Sequence, residues 1–237
     1  MNIDESALRH NLAQIEPEAL SRSAVADAMT AIVGSLQHTF EGSGAGLMLL
    51  DEAQALGYAS ATDERAAKLE SIQTELGYGP CVDSLVRDEV VNTTDLSTDD
   101  RWPGLSERTT EIGVCAVLGV PVHVGTIAIG SLNVYLDGVH EWDESEVAAI
   151  ARFRHVIEHV LALAMLTRQQ EELVSQLTHA LAHRVTIERA IGVLMGRHGV
   201  DAVTAFDSMR RQARDERRKV AELAEQILED STHRPTD

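Results

Sequence analysis

The spacing of apolar residues changes along the chain and predicts which segments are helices and which are strands. Apolar residues recur every four positions from Leu20 to Leu36, which is the period of one helix face. The apolar segments 46–51 and 56–61 flank a polar turn, and this arrangement predicts a pair of strands. The N-terminal region is therefore predicted to begin with helix and to continue into a sheet.

Two longer apolar runs predict a second pair of strands. They cover residues 114–124 and 126–136 and are separated by Gly125, so we interpret them as a buried antiparallel hairpin. Between the two pairs, Asp63 is a candidate N-cap of a helix, and a short helix follows Pro80. This order of helices and strands predicts an α+β domain with one central sheet.

A long helical segment follows the second hairpin. From 143 to 195 the chain contains one glycine, Gly192, and no proline, which predicts one long helix or two collinear ones. Apolar residues spaced by seven form a stripe along it, with one phase shift: Ile150, Ile157 and Ala164, then Leu166, Leu173, Ala180, Ile187 and Leu194. Such a stripe packs inside one chain or seals a dimeric coiled coil. We interpret it as a helical linker between two subunits of a homodimer.

Two further helices are predicted after Gly196 and Gly199. Asp201 is a candidate N-cap of the first, and the apolar spacing from Val220 to Leu228 predicts an amphipathic second helix. Together with the end of the long helix, they predict an all-α, three-helix C-terminal region.

Composition narrows the class of protein. Hydrophobic residues make up 44% of the chain, but no stretch reaches the roughly 18 uninterrupted apolar residues of a membrane span. The acidic N-terminus lacks the layout of a signal peptide. The two cysteines, Cys81 and Cys115, form no C-x-x-C pair, which argues against a disulfide framework or a zinc ribbon. We therefore expect a cytoplasmic protein with no membrane contact.

Charge is distributed unevenly between the two regions. Residues 1–167 contain nine Lys and Arg against 26 Asp and Glu, a formal charge of −17. Residues 168–237 contain 11 basic and 12 acidic residues, a formal charge of −1. Six of these basic residues lie close together, at Arg210, Arg211, Arg214, Arg217, Arg218 and Lys219. This asymmetry indicates a polyanion site on the C-terminal region, although charge alone is equally compatible with a solvated helix face.

Sequence signatures of catalysis are weak. The chain has neither a Walker loop nor a G-x-G-x-x-G string. Residues 155–159 match the H-x-x-E-H string of inverted zinc peptidases, but both histidines face away from the apolar stripe, and a catalytic zinc needs a third protein ligand. With only two lysines, Lys68 and Lys219, neither able to end a later sheet strand, the chain also does not fit a phosphorylated receiver domain. We expect neither an enzyme nor a metal site.

The two cysteines carry separate hypotheses. Cys81 follows Gly79-Pro80 at the start of a possible helix, where the helix dipole would lower the thiol pKa, so a redox role is one hypothesis. Cys115 lies in an apolar run and is expected to be an inert thiol of the core.

Residues 20–165 resemble a GAF domain. Four motifs carry the resemblance: Gly77-Tyr78-Gly79-Pro80-Cys81, Asp95-Leu96 with Trp102-Pro103, Val117-Leu118-Gly119-Val120-Pro121-Val122, and Ile129-Gly130-Ser131-Leu132-Asn133-Val134-Tyr135. The resemblance implies a six-stranded antiparallel sheet with flanking helices and a pocket on one sheet face. From it we expect a small-molecule effector of unknown identity, no certain cofactor, and a pocket formed by Tyr78, Cys81, Trp102, Asn133 and Tyr135.

Residues 173–230 resemble an ANTAR domain, the RNA-binding module of bacterial transcription antiterminators. The resemblance rests on three strings at fixed spacing: Ala180-Leu181-x-x-Arg184-x-x-Ile187-x-x-Ala190-x-Gly192-x-Leu194-Met195, Ala205-Phe206-x-x-Met209-Arg210-x-x-Ala213-Arg214, and Val220-x-x-Leu223-Ala224-x-x-Ile227. The family pattern often has a lysine between Ala190 and Gly192, where this chain has Ile191. The resemblance implies an RNA surface formed by Arg184, Arg189, Ala190, Gly192, Arg197, Arg210, Arg211, Arg214, Arg217, Arg218 and Lys219.

The two resemblances together imply a fold and a domain order. The fold is an α+β GAF-like antiparallel sheet with flanking helices, joined by a long helix to an all-α three-helix ANTAR domain. The expected segments are an N-terminal helical segment at 1–19, the GAF-like sensor at 20–165, a helical linker at 166–172, the ANTAR domain at 173–230 and a polar tail at 231–237.

The expected function is that of a signal-responsive antiterminator. A dimer would hold paired stem-loops in an mRNA leader and so prevent a terminator hairpin from forming. Two other functions remain open: a DNA-binding transcription factor with a GAF sensor, and a GAF sensor that regulates a protein partner.

Overall fold

The computed structural model of the chain describes residues 3, 6, 22–41, 44–50, 56–167, 171–216 and 218–232. The segment expected at 1–19 lies almost wholly outside these residues. The turn expected between the first two strands and parts of the expected linker and tail lie outside them as well. The chain forms two compact units, one of Met1–Leu49 with Leu56–Val174 and one of Leu50–Ala55 with Ser175–Asp237.

The first unit is a mixed unit of helices and one sheet. Its helices are α1 (Arg22–Thr39), α2 (Glu64–Leu76), α3 (Pro80–Arg87), α4 (Leu105–Thr109), which continues into a 3₁₀ turn (Thr110–Ile112), and α5 (Glu144–Thr167). Its strands are β1 (Gly44–Leu50), β2 (Leu56–Ala61), β3 (Val91–Thr93), β4 (Ala116–Val124) and β5 (Ile127–Leu136). Where the resemblance implied six strands, the described residues contain five.

The sheet has the order β2-β1-β5-β4-β3, so β5 lies at its centre. Both predicted strand pairs are confirmed, since β1 neighbours β2 and β4 pairs antiparallel with β5. Val124 pairs with Ile127 across a two-residue turn in which Gly125 has φ 63°. Glycine suits this turn because the tight turns of hairpins require positive φ.

Helices cover both faces of the sheet. Side chains alternate between the two faces of a strand. On β5, Leu132 and Val134 on one face and Ser131 and Asn133 on the other are all buried, so neither face of the sheet is open to water there. Helices α2 and α3 pack on the face that carries Asn133, and α1 and α5, which pack against each other, cover the sheet as well.

The helix starts follow from their capping residues. Asp63 accepts a hydrogen bond from the backbone N–H of Ala66 at 2.8 Å and caps α2, as predicted. Asp143 accepts from the N–H of Glu146 at 3.0 Å, while the Glu146 carboxylate accepts from the N–H of Asp143 at 2.8 Å. This reciprocal pair is a capping box, and it starts α5.

The first part of the seven-residue stripe belongs to the core of the first unit. Ile150, Ile157 and Ala164 on α5 are each at most 1% exposed. This half of the stripe is therefore not available to a second subunit, contrary to its interpretation as a subunit linker. The spacing shows that one helix face is buried, but it does not identify what buries it.

The second unit contains three helices, α6 (Glu171–His198), α7 (Ala202–Asp215) and α8 (Val220–Thr232). Asp201 caps α7, since its carboxylate accepts from the N–H of Thr204 at 2.7 Å. Small and medium apolar side chains fill its core: Ile187, Ala190, Ile191, Ala205, Phe206, Met209, Ala213, Ala221, Leu223, Ala224 and Ile227. The segment 143–195, predicted as one long helix or two collinear ones, contains α5 and α6, and residues 168–170 between them lie outside the described part of the chain.

Candidate effector site and nucleic-acid interface

A buried polar stripe on the central strand is the most unusual feature of the first unit. Ser131, Asn133 and Tyr135 alternate along β5 and are at most 2% exposed. Asn133 pairs with Gly46 of β1 on one side and with Gly119 of β4 on the other. A Cβ at Gly119 would lie 2.9 Å from Asn133 Oδ1. The two glycines therefore leave the room on the sheet face that the polar side chains occupy.

Helix α2 places the carboxyl group of Glu70 over this stripe. The Tyr135 hydroxyl donates to Glu70 Oε1 at 2.8 Å, whereas Oε2 is buried without a hydrogen-bond partner. A Cβ at Gly46 would overlap Glu70 Oε1, so position 46 must be glycine in this packing. A buried oxygen with no partner is uncommon because leaving it unsatisfied costs about 1–3 kcal/mol.

Burial also changes the acidity of this carboxyl. Desolvation raises the pKa of Glu70 from 4.5 to about 8, while the Tyr135 hydroxyl and the Asn133 amide oppose the rise. Glu70 therefore holds its proton at neutral pH, unlike a glutamate in water.

Cys81 lies at the edge of the same cluster. Its backbone N–H donates to Gln73 Oε1 at 2.9 Å, the Gln73 amide donates to Cys81 Sγ at 3.0 Å, and Sγ is 3.8 Å from the Tyr135 hydroxyl. Burial, followed by the charge of Glu70, raises the pKa of the Cys81 thiol. The expectation of a lowered thiol pKa was wrong because desolvation outweighs the helix dipole, and a buried neutral thiol does not fit a redox role.

Cys115 also differs from its expectation. It is only partly buried, because it lies one residue before β4. Desolvation raises its pKa as well.

The remaining two residues of the predicted pocket lie elsewhere in the first unit. Trp102 is buried and its indole N–H donates to Asp83 Oδ2 at 2.9 Å. The Tyr78 hydroxyl donates to the carbonyl of Pro103 at 2.6 Å near the surface. The structure thus brings Cys81, Asn133 and Tyr135 together around Glu70 and places Trp102 and Tyr78 in separate contacts.

Glu70 and Gln73 were missed by the sequence analysis, although a signal was present. Both lie on the stripe that Ala66 and Leu69 define on α2, at the spacing of one buried helix face. A polar residue on a buried apolar stripe is usually taken as an exception to the apolar pattern, whereas here two such residues belong to the candidate effector site.

In the second unit, the predicted RNA-binding residues of α6 divide into exposed and buried ones. Arg189, Gly192 and Arg197 are exposed, and a Cβ at Gly192 would meet nothing within 4 Å. Arg184 is 6% exposed and its guanidinium lies 2.7 Å from Glu188 Oε1. Ala190 is fully buried in the three-helix core and can act on a ligand only through that packing.

The residue that departs from the family pattern, Ile191, is buried. Its side chain is 6% exposed and belongs to the apolar core of the second unit. An isoleucine here adds apolar burial to a small domain.

The end of α7 and the start of α8 hold the other basic residues. Arg211 and Lys219 are exposed. Arg210 lies 5.4 Å from the centre of the Phe206 ring and 3.6 Å from Asp207 Oδ1. Arg218 binds Glu216 at 3.2 Å and contacts Gln226. The side chain of Arg214 and the whole of Arg217 lie outside what the structure describes.

The outer face of α8 differs from this basic corner. Its exposed residues include four acids, Glu222, Glu225, Glu229 and Asp230. These acids would repel a polyanion, whereas the exposed basic residues of the described part of the second unit lie on α6 and near the α7–α8 corner.

Comparison with known proteins agrees with the two units. The family model of the GAF domain matches residues 25–161, and that of the ANTAR domain matches residues 175–228. No curated protein matches the chain. Among the described helices, none has the length and apolar content that crossing a membrane requires.

Solved GAF domains share the fold of the first unit. The GAF domain of an Acinetobacter phosphoenolpyruvate-protein phosphotransferase is 19% identical, with a TM-score of 0.53 over 68% of this chain and 93% of that one. The corresponding domain from Coxiella burnetii is 18% identical, with a TM-score of 0.54 over 68% and 94%. A GAF domain from Synechocystis in its photoproduct state is 14% identical, with a TM-score of 0.51 over 61% and 98%. At these identities the likeness concerns the fold alone.

Proposed function

Because the chain belongs to the GAF domain family and carries an ANTAR domain after its GAF domain, we propose that it is a signal-responsive antiterminator that stabilises stem-loops in nascent mRNA against terminator formation. The match of residues 175–228 to the ANTAR family carries this proposal, since ANTAR domains bind RNA. GAF and ANTAR domains are typically non-catalytic, and antitermination requires only a difference in binding free energy between alternative RNA folds.

The charge and exposure of the second unit support an RNA surface at defined positions. Arg189 and Arg197 on α6, with Arg211 and Lys219 at the α7–α8 corner, are exposed cations that suit phosphate contacts. Gly192 lies between the two arginines of α6 with open space around its Cα, which suits close approach of a loop nucleotide to the helix backbone.

Arg184, Arg210 and Arg218 suit a different role in that surface. Each has an acidic neighbour in its own unit, at Glu188, Asp207 and Glu216 respectively. These ion pairs hold the guanidinium groups in place, so in our proposal they shape the surface more than they supply its charge.

Contacts inside the first unit support a route for the signal. The His123 ring at the end of β4 lies 3.0 Å from Glu158 Oε1 on α5 and 2.6 Å from Asp88 Oδ1 at the end of α3. In our proposal, a change at the sheet face or in α3 is passed to α5 through these contacts, and α5 leads along the chain toward α6. We further expect a homodimer, in whose contact the buried Ala164 of α5 takes no part.

A binding assay on two matched variants tests the RNA surface. RNA is first crosslinked to the full chain in cells and sequenced, and a recovered stem-loop is then used with duplex DNA of the same sequence as competitor. Replacing Arg189 and Arg211 with Glu should weaken stem-loop binding at least about tenfold per residue, because a hydrogen bond to a charged group contributes about 1.5–3 kcal/mol. The salt dependence should fall by about one unit of slope per lost phosphate contact.

The control variant carries the same charge change in the first unit. Arg65 and Arg108 there are paired with Asp137 and Glu75, and replacing both with Glu should leave stem-loop affinity within about twofold. A preference for duplex DNA would replace our proposal with a DNA-binding factor. Equal affinity of all variants for every nucleic acid would favour regulation of a protein partner.

A further inference from the structure

The unpaired oxygen of Glu70 points to a ligand group. Glu70 is 1% exposed, and Oε2 has no hydrogen-bond partner although the neighbouring Tyr135 hydroxyl satisfies Oε1. Gly46 and Gly119 lie beneath the cluster, and the space that their missing side chains leave is filled by Glu70 and Asn133. A helix packed only for stability would bury an apolar residue at this position, since burying a carboxyl without full hydrogen bonding is costly.

The cluster around Glu70 contains acceptors and neutral donors. Its described members are Gln73 on α2, Cys81 on α3, and Ser131, Asn133 and Tyr135 on β5. Burial, Tyr135 and Asn133 are the influences on the pKa of Glu70, and none of them is a basic side chain. An ionised Glu70 would therefore lack a compensating charge within this part of the chain.

Resting on the proposed sensor role of the first unit, we propose that the effector is a small organic cation, an ammonium or amidinium, whose N–H groups bind Glu70 Oε2. The Asn133 side-chain oxygen, which accepts from the Ser131 hydroxyl at 2.6 Å, has a second lone pair to accept from the same cation. Glu70 is then the residue that determines the charge class of the ligand.

The same surroundings disfavour the other common classes of effector. A phosphate or carboxylate would lie against a carboxyl group in a region of formal charge −17, with no basic partner among the described members of the cluster. A metal ion needs several ligands, and the described residues contain no group of three His, Cys, Asp or Glu side chains that could hold one. An organic cation satisfies both the geometry and the charge.

In this proposal, the cation reaches Glu70 through a movement of the corner between α2 and α3. Gly77 and Gly79 have φ of 72° and 137°, and a Cβ at Gly79 would overlap the Gln73 side chain. The two hydrogen bonds between Gln73 and Cys81 close this corner over the cluster. A ligand that replaces them at the corner changes α3, whose last turn contacts His123 through Asp88.

Binding of a cation is coupled to loss of the Glu70 proton. Glu70 holds its proton up to a pKa of about 8, while burial keeps the thiol of Cys81 and the phenol of Tyr135, the other titratable groups of the cluster, neutral. The cation favours ionised Glu70, so its affinity should rise about tenfold per pH unit toward pH 8 and then level off.

The experiment measures binding to the full chain by calorimetry. Acetamidinium, benzamidinium and ethylammonium serve as probes, each beside its uncharged counterpart, acetamide, benzamide or ethanol, with inorganic phosphate as the anionic probe. At least one cation should bind below about 10 mM and its counterpart at least tenfold more weakly, with the stated rise toward pH 8. Glu70→Gln should remove the preference for the cation. Glu75→Gln makes the same substitution at an exposed position on α2 and should preserve the preference.

The inference is overturned if no cation binds, if the uncharged probes or phosphate bind equally well, or if the wild-type affinity is flat between pH 6 and pH 8. The pH profile needs no variant, so it decides the question even where Glu70→Gln fails to fold. Stem-loop binding is measured on the same proteins without any probe. If the wild-type protein does not bind the stem-loop, the proposed function is contradicted. If it binds the stem-loop but no cation, only the proposed class of effector is contradicted.

Discussion

The two units place their polar side chains in opposite ways. Among the described residues, 11 polar side chains are buried, and ten of them lie in the first unit; Arg184 is the one in the second. The first unit keeps a polar cluster inside, in the space that Gly46 and Gly119 leave on one sheet face. In the second unit, five of the 11 buried apolar residues are alanines, and four of the described basic residues are exposed. In our proposal, the buried polar cluster of the first unit binds the effector, and the apolar core of the second unit holds the exposed cations in place for RNA.

The pH dependence of stability should reveal the largest difference between the units. Glu70 has a pKa of about 8 in the folded chain against 4.5 in the unfolded one, so the folded state holds the proton between these pH values. The contribution of the Glu70 proton to the free energy of unfolding is fully present below pH 4.5. It is lost as the pH rises toward 8, by about 5 kcal/mol in total.

Denaturant unfolding from pH 4.5 to pH 8.5 measures this effect. Glu70→Gln should remove the fall, so the variant gains stability relative to the wild type as pH rises. Glu75→Gln, at an exposed position of the same helix, should follow the wild-type curve. Parallel curves for all three proteins would show that Glu70 ionises normally in the folded chain.

Substitution of Gly46 tests how tightly the first unit packs around its polar cluster. An alanine there places its methyl group on the Glu70 carboxyl, and relief requires movement of α2 or of the carboxyl. Overpacking of this kind costs about 1–3 kcal/mol of unfolding free energy. Unchanged stability of Gly46→Ala would contradict the tight packing of Glu70 over β1.

The matching substitution in the second unit should have a smaller effect of opposite sign. Gly192 lies within α6 with open space around it, so alanine should stabilise the helix by about 0.5–1 kcal/mol. If an RNA loop approaches the backbone there, Gly192→Ala should also weaken stem-loop binding while the protein becomes more stable. Higher stability with unchanged RNA affinity would place the RNA away from this part of α6.

Much of the fold could be predicted from local signals. Gly125 between two apolar runs predicts the central hairpin, and Asp63 and Asp201 mark helix starts that the structure confirms. The burial of Ile150 and its stripe in the core of the first unit could not be predicted, since a core helix and a subunit contact have the same spacing of apolar residues.

The candidate sites were predictable to different degrees. The resemblance to GAF domains named Cys81, Asn133 and Tyr135, which the structure brings together. It gave no reason to add Glu70, because a glutamate on a helix is normally solvated and its burial depends on a glycine 24 positions earlier, on β1. The RNA-binding residues stay a prediction, supported by the exposure of Arg189, Arg197, Arg211 and Lys219.

The most direct test of the account is transcription in vitro through a leader that contains the recovered stem-loop and its terminator. Purified full-length protein should increase readthrough of the terminator, and the variant with Glu at Arg189 and Arg211 should lose this effect while the variant with Glu at Arg65 and Arg108 keeps it. If the wild-type protein binds the stem-loop and readthrough does not change, antitermination is the wrong function for this chain.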